Sequence, residues 1–295
     1  MKIVIIGAHG QLGSDCCKLF AAEHETVGCD LPRIDIGNEA NVTEYLTAQR
    51  PDVIVNCAAY TAVDACEKEV ELAWRINAEG PKYLARAADK LGSRLIHVST
   101  DYVFDGNKPV PEAYVEIDAT NPLSEYGRSK LAGEQAVAGA CADHVILRTA
   151  WLYSGYGKNF LKTMLRLALT GPSRELKVVD DQHGSLTWSR TLARQIEQLL
   201  QPEITGIAHA TAEGYSTWYQ AARYFLDSMQ VDYAMRPCTT AEYTTPAHRP
   251  ANSILENAVL KDAGIAAFID WREDLDRYVA EYREQLLVEA RSVTV

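Results

Sequence analysis

The sequence is that of an acidic, globular chain. It has 295 residues, 47% of them hydrophobic, and a formal net charge of -11 at pH 7, so it can bury a large core as one big α/β domain or two unequal ones. An acidic chain without a run of Lys or Arg is repelled by nucleic acid, and no stretch approaches the ~18 apolar residues of a membrane span. The seven cysteines have no C-x-x-C spacing, which argues against a zinc site. We expect a cytoplasmic protein with no nucleic-acid or membrane partner.

The first half of the chain alternates between two kinds of pattern. Short, β-branched, apolar segments predict strands that are covered on both faces, at residues 2–6, 26–30, 52–56, 94–99 and 144–149. Apolar i, i+3, i+4 spacing predicts helices between them, near residues 11–22, 39–49, 66–91 and 123–141. This β-α alternation predicts a Rossmann-like, doubly wound parallel sheet in an α/β domain spanning residues 1–150.

The pattern changes beyond residue 150. Strand candidates become short, as in "LKVVD" and "IAHA", and loops containing Pro and Gly separate helical patterns near residues 159–170, 187–200, 216–229 and 271–289. We interpret residues 151–295 as a smaller C-terminal domain, mainly a substrate-binding lid, with some segments returning to the first domain.

A glycine-rich turn follows the first predicted strand. In "IIGAHGQLGSD", Gly7 permits a tight turn, Gly10 lets a pyrophosphate approach, and Gly13 lets the helix pack on the strand, which together predict dinucleotide binding. Asp30 ends the second strand, where a carboxylate can accept hydrogen bonds from the adenosine ribose, as in NAD sites. Arg33 nearby could admit the 2′-phosphate of NADP, or could be a solvated loop charge.

Small and polar residues follow the third and fourth predicted strands. Ala58 and Ala59 would let backbone and cofactor approach closely, although small residues at a strand end can also be simple packing. Residues 99–102, "STDY", carry four polar groups at the end of the fourth strand. Because ligands bind at the carboxyl ends of parallel strands, we expect these four residues to face a ligand, although separately they could form a capped turn.

The stretch "YGRSK" places Tyr126 and Lys130 four residues apart, on one face of a predicted helix. An ammonium beneath a phenol favours its ionised form, which is one way to make a tyrosine a proton donor. About half a match of this kind is expected by accident in a chain of this composition, so the pair alone proves nothing. It gains meaning because the glycine turn and the strand-end hydroxyls precede it in order.

With these motifs, the chain resembles the extended short-chain dehydrogenases/reductases, and more closely the dTDP-4-dehydrorhamnose reductase family. Members of that family usually carry Pro where this chain has Leu186, and the segment between Gly106 and Pro122 is slightly longer than usual. The resemblance runs almost end to end, through "GAHGQLG" (7–13), "RPDVIVNCAAYTAVDACE" (50–67), "STDYVFDG" (99–106), "NPLSEYGRSKLAGE" (121–134), "LRTAWLY" (147–153), "DDQHGSLTW" (180–188) and "RPANS" (249–253).

The resemblance assigns binding roles to particular residues. Thr100 and Asp101 would meet the sugar, with Tyr102 as a further substrate-binding candidate, and Trp151 would pack near it. Arg249 would reach the nucleotide or diphosphate end of the substrate, or would instead form a salt bridge between lid and core. The cofactor implied is NADPH or NADH, lined by Gly10, Gln11, Leu12, Asp30, Asp35, Ile36, Ala59, Tyr60 and Thr61.

The resemblance also implies a reaction. The cofactor would deliver a hydride to the C4 carbonyl carbon of a dTDP-linked 4-keto-6-deoxy sugar, dTDP-4-dehydro-L-rhamnose, while Tyr126 donates a proton to the oxygen. Lys130 and the oxidised nicotinamide would ease that proton's departure, and Thr100 would be a second donor to the ketone. No spacing of His and acidic residues defines a metal site, and we expect that none is needed for the chemistry. The chain should be a monomer or a homodimer.

Two other functions are open. Dehydratases of the same superfamily carry an acidic residue directly after the Thr-Asp pair, where this chain has Tyr102, which disfavours elimination or epimerisation. A reductase-like regulatory subunit, similar to that of methionine adenosyltransferase, would keep the fold and cofactor but serve a partner protein. The presence of Thr100, Tyr126 and Lys130 together disfavours that alternative.

Overall fold

A computed structural model of the chain describes residues 1–171, 175–201 and 204–292. The predicted second domain extends to Val295, so its last three residues lie outside these ranges. The strands are β1 (Lys2–Ile6), β2 (Glu25–Cys29), β3 (Val53–Asn56), β4 (Arg94–Thr100), β5 (His144–Thr149), β6 (Leu152–Tyr153), β7 (Glu175–Val179), β8 (His183–Gly184), β9 (Thr187–Trp188), β10 (Gly206–His209), β11 (Ser216–Thr217), β12 (Ala234–Cys238) and β13 (Asn252–Ser253).

Helices connect these strands. They are α1 (Gln11–Phe20), α2 (Glu39–Gln49), α3 (Val63–Cys66), α4 (Val70–Trp74), α5 (Gly80–Leu91), α6 (Glu125–Ala140), α7 (Phe160–Thr170), α8 (Ser189–Gln198), α9 (Trp218–Ser228), α10 (Ala258–Asp262) and α11 (Trp271–Ser292). In the described ranges, no helix has both the length and the apolar character needed to cross a bilayer.

The main sheet has the strand order β10-β5-β4-β3-β1-β2, and every pair in it is parallel. β1 lies between β2 and β3, so the chain reverses its direction of travel across the sheet at this point. Such a switch point opens a crevice at the carboxyl ends of the strands. The predicted doubly wound parallel sheet is confirmed, and the five strands predicted before residue 150 differ from the observed ones by at most one residue at either end.

The apolar residues of β1 show why this segment forms a central strand. Ile3 and Ile5 belong to a core that includes α1 and α8, whereas Val4 and Ile6 belong to a second core with α2 and α5 on the opposite face. All four side chains are at most 1% exposed. Each buried side chain of this size contributes about 1.5–3 kcal/mol, so a β-branched run without polar residues is stable only between two helical layers.

The single helix predicted near residues 66–91 is instead divided into α3, α4, a π-helical segment (Arg75–Glu79) and α5. Pro81 is the physical reason for the π-helical segment, because it has no N–H to donate to the carbonyl of Asn77 four residues earlier. The helical hydrogen bonds there span five residues instead of four, and the Gly80 N–H bonds to the carbonyl of Arg75. π-turns inside α-helices frequently occur beside functional sites.

The second half of the chain builds its own core around α7, α9 and α11. Large aromatic side chains dominate it, with Trp271 and Tyr278 almost completely buried. Asp15 of α1 joins this lobe to the first one, since its carboxylate accepts hydrogen bonds from Ser154 and Ser189. Burial raises the pKa of Asp15, and these two hydroxyls partly offset that effect.

A buried ion pair holds α6 against the main sheet. The Glu134 carboxylate on α6 accepts from the Arg148 guanidinium on β5, with Arg148 Nη2 2.7 Å from Glu134 Oε2, and both side chains are 3% exposed. Ser99 of β4 donates to the same carboxylate, and Arg148 lies over the ring of Phe104. Three elements therefore depend on one pair of charges.

This pair yields a stability prediction. Glu134→Ala leaves a buried guanidinium without its partner, so we expect the free energy of unfolding to fall by about 3–5 kcal/mol. The double variant Glu134→Leu/Arg148→Met should recover most of the loss, because neither charge is then buried. Urea unfolding of both variants, with the exposed Glu284→Ala as control, measures this. A loss below about 1 kcal/mol in Glu134→Ala would contradict it.

Candidate active site

A cleft of ≈ 850 Å³ opens at the carboxyl ends of the main strands and is lined by residues from both halves of the chain. Its volume is in the range of sites for small molecules and cofactors. Most of the residues predicted for cofactor, substrate and catalysis meet there: Gly10, Gln11, Leu12, Gly13, Ala59, Thr61, Thr100, Asp101, Tyr102, Tyr126, Lys130, Trp151 and Arg249.

The glycine turn after β1 is shaped for a phosphate group. Gly7 has a φ of +79°, and a Cβ there would lie 2.7 Å from the backbone nitrogen of Ala58. A Cβ on Gly13 would lie 2.1 Å from the Gly7 carbonyl oxygen, so only glycine lets α1 pack this closely. Gly10 is the N-cap of α1 and provides no side-chain cap, and the first turn of the helix has no acidic residue. Its N–H groups and helix dipole therefore fit the pyrophosphate of a dinucleotide.

Six of the residues predicted to bind the cofactor lie outside the cleft lining: Gly7, Asp30, Asp35, Ile36, Ala58 and Tyr60. The Asp30 carboxylate is beside the glycine turn and accepts from the backbone N–H of His9 at 3.3 Å. The Asp35 side chain accepts from a neighbouring backbone N–H, whereas Ile36 is 5% exposed in the core. The Tyr60 phenol donates to the carboxylate of Glu69, just before α4, at 2.6 Å. The cofactor roles of these six residues stay predictions.

Tyr126 lines the cleft. α6 carries it, and its ring packs edge-on against Tyr102 with ring centroids 5.4 Å apart. Burial raises the pKa of Tyr126, and a hydrogen bond with Thr100 only partly offsets this. The phenol is therefore protonated at neutral pH, which is the form that a proton donor needs before the reaction.

Lys130 lies one helical turn after Tyr126 and is 2% exposed. Its Nζ donates to the Val98 carbonyl oxygen at 2.6 Å, so the ammonium is anchored to the end of β4. Burial lowers the pKa of Lys130 to about 8, and the negative charge of Glu134 opposes that shift. Lys130 is therefore mostly charged at neutral pH and retains further N–H groups for a ligand.

Asp101 and Thr100 form a buried pair at the end of β4. The Thr100 hydroxyl donates to Asp101 Oδ1 at 2.8 Å. Asp101 is 3% exposed, and a hydrogen bond from the Ser253 side chain lowers its pKa against the larger effect of burial. Thr100 has a single hydroxyl proton, so it can donate to a ketone only by turning away from Asp101 or when Asp101 is protonated.

Trp151 forms part of the cleft wall in an unusual backbone conformation. Its φ is +47°, a left-handed value that costs a residue with a side chain about 1–3 kcal/mol. The indole stacks on Trp218 with ring centroids 3.6 Å apart and planes 9° apart. This stacking helps to hold Trp151 in place at the edge of the cleft.

Arg249 connects the second lobe to the first across the cleft. Its guanidinium donates to Asp64 Oδ2 at 2.8 Å and to the Tyr102 hydroxyl at 3.1 Å. The lid-to-core salt bridge considered from the sequence is thus present. The side chain remains 26% exposed and lines the cleft, so its substrate role stays a prediction.

Several residues of the site were not predicted from the sequence. Lys158, Phe160 and Trp218 line the cleft and lie outside the quoted motifs. Asp64 also lines it and lies within the quoted stretch 50–67, but no role was assigned to it. Asn77, in the π-helical segment, bonds to the backbone N–H and carbonyl of residue 60 and to a hydroxyl on α6. Only Pro81 signals the break in the helix. The described residues contain no cluster of His, Cys, Asp or Glu suited to a metal ion.

An uncapped glycine turn at one end of the cleft and a Tyr, Lys and Thr group further along it, on a Rossmann-like sheet, together define an extended short-chain dehydrogenase/reductase. Residues 1–284 match the family model described as RmlD substrate binding domain, and the chain belongs to this family. The resemblance found in the sequence is confirmed.

The relatives support the same assignment. A dTDP-4-dehydrorhamnose reductase of Escherichia coli (strain K12) is 38% identical over 95% of this chain and 98% of its own. A crystal structure of a dTDP-4-dehydrorhamnose reductase from Clostridium acetobutylicum ATCC 824 has a TM-score of 0.92 and 40% identity, covering 96% of this chain and all of that one. Another, from Bacillus anthracis str. Ames in complex with NADP, has a TM-score of 0.91 and 37% identity, covering 95% and 99%.

Asp101 gives a prediction on pH and stability. Burial raises its pKa from 3.8 to about 6, so the folded chain holds this proton more tightly than the unfolded one. The free energy of unfolding therefore falls as the pH rises from about 3.8 to about 6, by about 3 kcal/mol in all, and the penalty persists at higher pH.

Asp101→Asn cannot ionise, so it should be more stable than the wild type at pH 8, with the difference shrinking at pH 5. Urea unfolding at both pH values measures this, and the exposed Asp262→Asn corrects for the loss of one charge. An equal difference at the two pH values would contradict the assigned burial cost.

Proposed function

We infer that this chain is a dTDP-4-dehydrorhamnose reductase, which uses NADPH or NADH to reduce the C4 ketone of dTDP-4-dehydro-L-rhamnose to dTDP-L-rhamnose. This reaction is a step of deoxysugar and cell-surface polysaccharide biosynthesis. The observation that carries the proposal is the meeting of Thr100, Tyr126 and Lys130 in one cleft that begins at the uncapped start of α1. The names of the relatives support the choice of sugar.

The chemistry divides between cofactor and protein. When bound, the nicotinamide supplies the hydride to the C4 carbonyl carbon. The Tyr126 phenol donates its proton to the C4 oxygen, and Lys130 holds the cofactor and balances the phenolate that Tyr126 leaves. Thr100 becomes a second donor to the oxygen once its hydroxyl turns from Asp101, whose carboxylate then accepts from the sugar.

The same geometry weakens the alternative of elimination. A dehydratase needs a carboxylate directly after the Thr-Asp pair to move a ring proton. Here Tyr102 occupies that position, and its hydroxyl accepts from the Arg249 guanidinium at 3.1 Å. Burial raises the pKa of Tyr102 to about 12, which makes it a poor base at neutral pH.

The remaining predictions complete the proposal. Residues 1–150 hold the cofactor, and residues 151–295 mainly cover the substrate, with Trp151 and Arg249 on the sugar-nucleotide side. A cytoplasmic location and a monomeric or homodimeric state stay predictions.

Tyr126→Phe tests the proton donor. The ring and its packing remain while the hydroxyl is lost, so kcat should fall by about 10²–10⁴-fold with little change in the cofactor dissociation constant. The assay follows NADPH oxidation with dTDP-4-dehydro-L-rhamnose, and NMR identifies the product. Tyr83→Phe, which removes a phenol from α5 outside the cleft, is the matched control and should leave kcat unchanged.

Each alternative has its own outcome in that assay. Loss of water from a dTDP-hexose would indicate a dehydratase, and a purified wild type inert toward the 4-keto sugar with both nicotinamides would indicate a regulatory binding protein. Wild-type kcat in Tyr126→Phe, measured where hydride transfer limits the rate, would remove Tyr126 from the proposed role.

The two nicotinamides test Asp30 and Arg33. We expect both NADH and NADPH to support turnover, because Asp30 suits the ribose hydroxyls while the exposed Arg33, close along the loop, suits a 2′-phosphate. Arg33→Ala should weaken NADPH by about 10-fold and leave NADH unchanged. Steady-state kinetics with both cofactors measures this. Complete failure with NADH would contradict the role of Asp30.

A further inference from the structure

Three cysteines lie close together beside the glycine turn. Cys16 is fully buried in the core on this face of the main sheet, and Cys17 and Cys57 pack against the same core. The Cys16 and Cys57 thiols are hydrogen-bonding neighbours. All seven cysteines of the chain are free thiols. Two facing thiols can be joined by oxidation, and the proposed reaction uses neither of them.

The backbone brings Cys16 and Cys57 face to face. The Cys57 N–H bonds to the Ile6 carbonyl at 2.9 Å, so Cys57 directly follows the paired part of β3. Gly7 contacts the backbone at Cys57, and Gly13 in turn contacts Gly7. Cys16 lies one helical turn after Gly13 and shares its face of α1. The close packing of the two glycines therefore directs the Cys16 side chain toward the end of β3.

Cys57 is the accessible member of the pair. It is half-buried and lines the cleft, whereas Cys16 is 0% exposed. The Lys130 ammonium is near enough to the Cys57 thiol for a charge interaction. Reactive cysteines are typically partly exposed and close to a positive charge. Burial raises the pKa of the other six thiols, which makes them poor nucleophiles at neutral pH.

We propose that Cys57 and Cys16 form a redox-sensitive modification site beside the glycine turn, where a hydroperoxide converts the two thiols into a disulfide and weakens NADPH binding. The inference goes beyond the proposed reaction. It needs the dinucleotide cleft but not the sugar.

The oxidation takes two balanced steps. The Cys57 sulfur attacks one peroxide oxygen and the O–O bond breaks, so that Cys57 becomes a sulfenic acid and its proton goes to the departing alkoxide or hydroxide. The Cys16 sulfur then attacks the Cys57 sulfur, the S–O bond breaks, and the hydroxyl leaves as water with the Cys16 proton. Two thiols have then lost two electrons to one peroxide. A thiol reductant such as dithiothreitol reverses the change.

The disulfide disturbs the cofactor site because the parts around it have no free space. It shortens the contact between the two sulfurs to about 2 Å and pulls Cys57 toward α1. The next residue, Ala58, is already so close to Gly7 that a Cβ on Gly7 would lie 2.7 Å from its nitrogen. The turn that fits the pyrophosphate must therefore shift. A bound dinucleotide in turn covers Cys57, so cofactor binding and oxidation oppose each other reciprocally.

Peptide mass spectrometry of the full-length chain tests the bond itself. The protein is treated with hydrogen peroxide, its remaining thiols are alkylated in urea, and it is digested without reductant. We expect the Cys16–Cys57 peptide pair as the main cross-link, formed about 10-fold more slowly or less when NADPH saturates the cleft. Oxidation that leaves both of these thiols open to alkylation would overturn the proposal, as would equal rates with and without NADPH.

Calorimetric titration with NADPH measures the consequence. The oxidised wild type should bind NADPH about 10-fold more weakly or worse, and dithiothreitol should restore the affinity. In Cys16→Ala, Cys57 has no partner and proceeds to the sulfinic acid, so dithiothreitol should no longer restore it. Cys17→Ala is the matched control, because that thiol lies beside Gly28 of β2, and it should behave like the wild type.

Unchanged NADPH affinity in the cross-linked chain would overturn the proposal, and so would full recovery of oxidised Cys16→Ala in dithiothreitol. Cys57→Ser keeps the test open if Cys16→Ala fails to fold. Its NADPH affinity, measured before and after peroxide, should change by less than about 2-fold, and a larger loss would count against Cys57. NADPH is titrated without a sugar, so failure of the proposed reaction would not alter these results.

Discussion

The position of α6 depends on charges that water does not reach. Burying Glu134 and Arg148 together is favourable only if the geometry is close to ideal, because each ion loses its hydration. The bidentate contact and the added hydroxyl of Ser99 meet this condition, and they fix the rotation of α6 about its axis. Lys130 and Tyr126 lie four and eight residues before Glu134 and share its face of the helix. The proposed catalytic pair is therefore oriented by a salt bridge that touches no ligand.

The sequence predicts best those elements whose structure depends on residues close together along the chain. Both faces of the main strands are covered, so their apolar runs were sufficient to locate them, and the glycine turn follows directly from β1. The π-helical segment was missed because apolar periodicity does not register a single missing N–H at Pro81. Trp218 was missed for a different reason. It reaches the cleft only because the second lobe folds over the sheet, and no spacing in the sequence encodes that contact.

Burial favours the uncharged form of both proposed catalytic groups, so it shifts their pKa values in opposite directions. It raises the pKa of the Tyr126 phenol and lowers that of the Lys130 ammonium to about 8. A protonated phenol is ready to give a proton but is reluctant to remain ionised afterwards. The stability of the Tyr126 phenolate therefore depends both on the positive charges around the cleft and on the anionic ligand that they attract.

The edge strand β10 has a consequence for how the chain is made. It pairs with β5 although more than fifty residues separate the two, and α8, which precedes it, covers α1 on one face of the sheet. A nascent chain that has emerged only as far as residue 150 exposes the open edge of β5 and an uncovered apolar face, both of which invite association with other chains. The Rossmann-like sheet can close its edge only after about two thirds of the protein has left the ribosome, so synthesis of the second lobe is a condition for completing the first.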